Sequence, residues 1–88
     1  MKLRGEFVVR QILDDIVAIP VGENALRFNG MIMLNNVSLI IWRGLEQETD
    51  LDRLIQAVTD SFEVSPEEAK EDIVAFLDKL RNVQLLEE

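Results

Sequence analysis

Cysteine, histidine and tyrosine are all absent from this 88-residue chain. The first absence removes disulfides, thiolate metal sites and thiol nucleophiles, and the second removes the commonest general base and metal ligand. No glycine-rich phosphate loop is present either, so no nucleophile-and-base set can be assembled, and no catalytic residue, metal or cofactor is expected. Basic residues are scarce. Nine Lys and Arg stand against 17 Asp and Glu, giving a net charge of −8. Such a charge repels polyphosphate at long range and argues against a nucleic-acid partner. No apolar run approaches the roughly 20 residues that span a bilayer, which argues against a membrane role. The opening MKLRGEFVVRQ breaks into charge before any signal-like apolar stretch, so a cytoplasmic location is the default expectation.

What remains is 48% hydrophobic and 30% charged, the balance of a globular chain, with a length that suits one domain over residues 1–88 and one modest core. Phe7 to Ile12 and Ile16 to Val21 read as strands separated by a turn at Asp14-Asp15. Pro20 lacks a ladder donor and belongs at an edge or a strand end. Gly22 to Asn24 form the next turn. Asn29-Gly30 then has the composition of a tight hairpin turn between strands at about 25–28 and 31–35. On that reading Leu26, Phe28, Ile32 and Leu34 share the core face, while Arg27, Asn29, Met31 and Met33 face outward. Three or four short strands over residues 7–35 make an antiparallel meander whose last strand offers an open edge.

Helical signals follow. Asn35 is an N-cap for an apolar helix over 36–44 that carries Val37, Leu39, Ile40, Ile41 and Trp42, and Gly44 to Glu48 reads as a loop. Thr49 or Asp50 caps a second helix over 51–62, with Leu51, Leu54, Ile55, Val58 and Phe62 on one face. Ser65-Pro66-Glu67-Glu68 combines a cap serine, proline at the first helical position and a capping-box glutamate. The third helix runs over 66–81, with Asn82 as a left-handed terminator. Ala69, Ile73, Phe76 and Leu80 form its core stripe, and Glu67, Glu71, Ala75 and Asp78 face water. Lys70, Val74, Leu77 and Arg81 form a flanking ridge with an apolar middle and a positive charge towards each end. Val83, Leu85 and Leu86 fold back on the core.

Each candidate feature has a plain structural explanation beside the functional one. The acidic start of the third helix, Glu67 to Asp72, suits the helix dipole. Asp60-Ser61-Phe62 echoes the attachment motif of acyl carrier proteins, but Ser61 closes a helix after a strand-rich half instead of opening one in a helical bundle. Trp42 is core. Met31 and Met33 either cover core beneath a second layer or line a peptide groove. The ridge is either a solvated flank or a binding wall.

The layout of strands followed by three helices resembles the pyrroloquinoline-quinone biosynthesis protein D (PqqD) family. The resemblance rests on Gly30-Met31-Ile32-Met33-Leu34-Asn35, on Ile41-Trp42, on Leu54 to Phe62, and on Asp72 to Leu80 followed by Leu85-Leu86. Gln84 departs from it, because family members often carry glycine there. The resemblance implies an α+β fold, a small winged helix-turn-helix with an N-terminal antiparallel meander. It also implies a non-catalytic adaptor that captures the leader segment of a ribosomal precursor peptide and presents it to a modifying enzyme, commonly a radical S-adenosylmethionine enzyme. An extended peptide would add to the sheet edge at Met31, Ile32, Met33 and Leu34, with Lys70, Val74, Leu77 and Arg81 as the opposite wall. The competing expectation is a winged-helix transcription regulator or DNA-binding module, disfavoured by the acidic third helix. An open edge also admits self-pairing, so monomer and homodimer both stand.

Overall fold

The computed structural model describes residues 1–28 and 30–88. Its elements in chain order are β1 (Lys2–Leu3), β2 (Phe7–Ile12), β3 (Asp15–Pro20), α1 (Asn24–Arg27), β4 (Ile32–Leu34), α2 (Asn36–Leu45), α3 (Leu51–Ser61), α4 (Pro66–Asn82) and β5 (Leu86–Glu87). The fold is α+β, an antiparallel meander of strands followed by helices, as expected.

The main sheet has the order β2-β3-β4. In its register Val17 lies opposite both Arg10 and Met33, and Ala18 lies opposite both Val9 and Ile32. Alternation therefore places Phe7, Val9, Ile16, Ala18, Ile32 and Leu34 on one face, and all six belong to the core or pack against it. Val8, Val17, Ile19 and Met33 share the other face, where Val17 is buried outside the main core cluster. Pro20 ends its strand, as its missing donor requires. A second, two-stranded sheet pairs β1 with β5 antiparallel.

Two readings of the strand region need correction. The Asn29-Gly30 hairpin does not form as expected: residues 24–27 coil into the helical turn α1, and β4 pairs with β3 instead. Asn29 itself lies outside the described residues. Leu26 is consequently 90% exposed instead of in the core, while Phe28 still reaches it, with its ring edge-on to Phe7 at 6.1 Å. The β2–β3 turn is also one residue earlier than Asp14-Asp15. Leu13 sits in it at φ 57 and Asp15 is already strand.

The helices follow their caps. Asn35 Oδ1 accepts the Ser38 backbone N–H while Ser38 Oγ accepts the Asn35 N–H, both at 2.8 Å, closing a reciprocal capping box on α2. Asp50 caps α3 through the Arg53 N–H, and Ser65 caps α4 through the Glu68 N–H with Pro66 at the first helical position. Gly44 belongs to α2 rather than to a loop, and its Cβ-less surface is used: a Cβ there would lie 2.6 Å from Leu54 Cδ2 on α3. Fully buried Leu45 completes that helix.

The end of α4 also differs from expectation. Asn82 is still helical, and the left-handed residue is Gln84, at φ 60. The Gln84 N–H donates to the Arg81 carbonyl at 3.0 Å and the Leu85 N–H to the Leu80 carbonyl at 2.9 Å, the paired bonds of a Schellman motif. That turn aims Leu85 and Leu86 back into the core beside Leu80. Trp42 stands at the centre, 1% exposed, with Phe7 edge-on at 5.1 Å.

Candidate functional site

A concavity lies where the start of α2 and one flank of α4 approach the free edge of β4. It has a volume of about 340 Å³ and is lined by Met33, Asn35, Val37, Ser38 and Ile41 on one side. Asp72, Ala75, Phe76 and Lys79 of α4 line the other. The chain makes this groove in a simple way. Three-residue β4 is too short to reach along α4, and the capping box turns the backbone sharply into α2 straight after Asn35. The β4 edge is thereby left uncovered, with α4 standing off from it.

The alternation expected along residues 31–34 is present. Ile32 and Leu34 are buried at 6% and 7% exposure, and Met31 and Met33 stand outward at 52% and 50%. Among the described residues no second layer covers the two methionines, and β4 has a partner strand on one side only.

The helix half falls differently. Successive helical residues turn by about 100°, so α4 has two flanks, each roughly 90° from its core stripe. Lys70, Val74, Leu77 and Arg81 occupy one flank, whereas Asp72, Ala75 and Lys79 occupy the other. None of the first four lines the groove. Leu77 is moreover buried at 3% and belongs to the core, so it cannot serve as an exposed ridge residue. Val74 is exposed at 38%. Arg81 is engaged elsewhere: its guanidinium donates to Glu88 at 2.8 Å and to Asp78 at 2.8 Å. The Glu88 hydrogen bond, more than that of Asp78, raises the Arg81 pKa, and Arg81 in turn holds the Glu88 carboxyl below the usual carboxylate range. Asp72 and Lys79, by contrast, form no ion pair among the described residues.

The sequence pattern assigns Ala75 to solvent, reads Asp72 as part of the acidic helix start and gives Lys79 no role. Periodicity could have flagged them as the second flank of α4, but the choice between the flanks depends on how the helix is laid against the sheet. The described residues include no cluster of acidic side chains placed to hold a metal ion.

The antiparallel meander β2-β3-β4, the helices that follow it and the groove between the β4 edge and α4 define a small α+β domain. The chain belongs to the PqqD family: the family description, coenzyme PQQ synthesis protein D, matches residues 15–86. Among solved structures it is similar to TbiB1, determined in complex with the TbiA(beta) leader peptide. The two share 25% sequence identity over 99% of this chain and 95% of that one, with a TM-score of 0.73. No match is found among curated protein sequences. No helix of the described residues is long and apolar enough to cross a membrane.

Proposed function

We propose that this protein is a non-catalytic adaptor that binds the leader segment of a ribosomally made precursor peptide and presents the remainder to a modifying enzyme. The observation that carries this reading is the unpaired β4 edge facing the α4 groove. The family membership and the leader-peptide complex of the similar TbiB1 support it.

The leader adds to β4 as a further strand, using the unpaired N–H and C=O groups of the edge. Its side chains then alternate: one set enters the groove towards Phe76 and Ala75, and the other extends the outer sheet face beside Met31 and Met33. Methionine suits such a surface, because an unbranched, polarisable side chain adapts to its partner. The peptide-binding residues on this reading are Met31 just before β4, Ile32, Met33 and Leu34 on it, and Asp72, Ala75, Phe76 and Lys79 on α4. Lys70, Val74, Leu77 and Arg81 lie on the opposite flank of α4 and are not part of the site. The partner enzyme is of the peptide-modifying class; a radical S-adenosylmethionine enzyme is the type the family resemblance implies.

The test is calorimetry with the leader segment of a precursor peptide encoded beside this chain. Met33→Glu and Ala75→Glu each weaken binding by about tenfold or more, since a charge set into an apolar contact costs over 1.4 kcal/mol. Binding by the wild type that both variants retain would place the leader elsewhere.

A further inference from the structure

The groove is apolar at its centre and carries one charge of each sign on its helical wall. Asp72 and Lys79 are seven residues apart on α4, which separates their backbones by about 10.5 Å along the helix axis. Phe76 and Ala75 lie between them. Neither charge forms an ion pair among the described residues, where Arg43, Arg53 and Arg81 pair locally with acidic neighbours and the other basic side chains do not. Asp72 and Lys79 differ from the other unpaired charges in lining this groove.

Resting on the strand-addition reading above, we infer that Asp72 and Lys79 select the charge pattern of the bound segment. They call for an extended peptide with an apolar residue flanked, two positions to either side, by one acidic and one basic residue. The spacing follows from strand geometry. Residues that share a face of a strand repeat about every 6.8 Å, so the two flanking residues stand about 13.5 Å apart. That span exceeds the helical separation by roughly 3 Å, which the length of the lysine side chain absorbs. The central apolar residue meets Phe76 and Ala75, the acidic one meets Lys79, and the basic one meets Asp72. Residues between them point to the Met31 and Met33 side and are not read for charge. Opposite charges at the two ends also fix the direction of the added strand, because the reversed peptide would set like charges together.

A display library of random 12-residue peptides tests this, selected in parallel on the wild type, Lys79→Glu, Asp72→Lys and Met33→Glu. Both charged side chains are solvent-exposed, so the reversals should fold, and circular dichroism checks that they do. The wild type enriches peptides with the acidic–apolar–basic spacing. Lys79→Glu replaces the acidic preference by a basic one, and Asp72→Lys does the reverse. A single wild-type-selected peptide binds its mismatched variant about fivefold more weakly, the scale of one partly exposed ion pair. Peptides that depend on Met33 but show the same charge profile on all three other proteins would overturn the charge-reading role alone. No enrichment on the wild type, or enrichment that survives Met33→Glu, would instead overturn strand addition at β4 and this inference with it.

Discussion

The two flanks of α4 have the same helical geometry and similar composition, a mixture of charge and small or branched apolar residues, yet the fold uses them in opposite ways. One flank is partly consumed by the protein itself: Leu77 is core and Arg81 is tied to Asp78 and Glu88, while Lys70 and Val74 stay exposed. The other faces the free edge of β4 and keeps Asp72, Ala75 and Lys79 exposed and unpaired. A helix in a small domain can therefore tie up one side while leaving the other open, and the division is set by what packs beside each.

The largest effects should separate the flanks by stability. Leu77→Ala removes a buried side chain and should cost about 2–5 kcal/mol in denaturant unfolding. Lys79→Ala, exposed on the other flank, should stay within about 0.5 kcal/mol. Similar costs would erase the distinction. Binding should separate them the other way. Ala75→Glu weakens the leader complex about tenfold or more, while Lys70→Glu leaves it within about twofold, and equal losses on both flanks would break the comparison.

A smaller effect concerns how α4 ends. Gln84 occupies the left-handed position of the Schellman turn at φ 60, a conformation that costs a non-glycine residue about 1 kcal/mol. Gln84→Gly should raise stability by about that amount without moving peptide affinity, since the turn lies on neither flank. The smallest effect is the acid sensitivity of the Arg81 clamp. The folded pKa of Glu88 is depressed by Arg81, so its contribution is present above the ordinary glutamate pKa and is lost as pH falls through the lowered folded value. Arg81→Ala should flatten that part of the stability–pH profile below neutrality, and an unchanged slope would show that the clamp contributes nothing.

Much of the helical half was legible because its signals are local. Asn35, Asp50 and Ser65 each cap a helix through a hydrogen bond to a residue three positions on, and such contacts depend on nothing distant. The strand half was legible in outline only. The alternation of Ile32 and Leu34 against Met31 and Met33 was read correctly, but Asn29-Gly30 marks a change of direction without saying which strand follows it. Residues 24–27 coil and β4 takes the pairing edge of β3, a pairing between distant residues that no local pattern specifies. The β1–β5 pair was missed because two-residue strands carry no periodicity. The same limit governs the candidate site: the edge could be read from one stretch, whereas the facing wall required knowing which way α4 turns.

The central claim is that an extended peptide joins the sheet at β4 opposite Asp72, Ala75 and Lys79. The direct measurement is nuclear magnetic resonance on isotopically labelled protein, with and without a leader peptide that binds it. The account predicts cross-strand contacts from the peptide backbone to Met31–Leu34 and slowed amide exchange confined to that edge, with side-chain contacts to Ala75 and Phe76. Peptide contacts at the β2 edge or the Lys70–Val74 flank, with β4 amides unchanged, would contradict it.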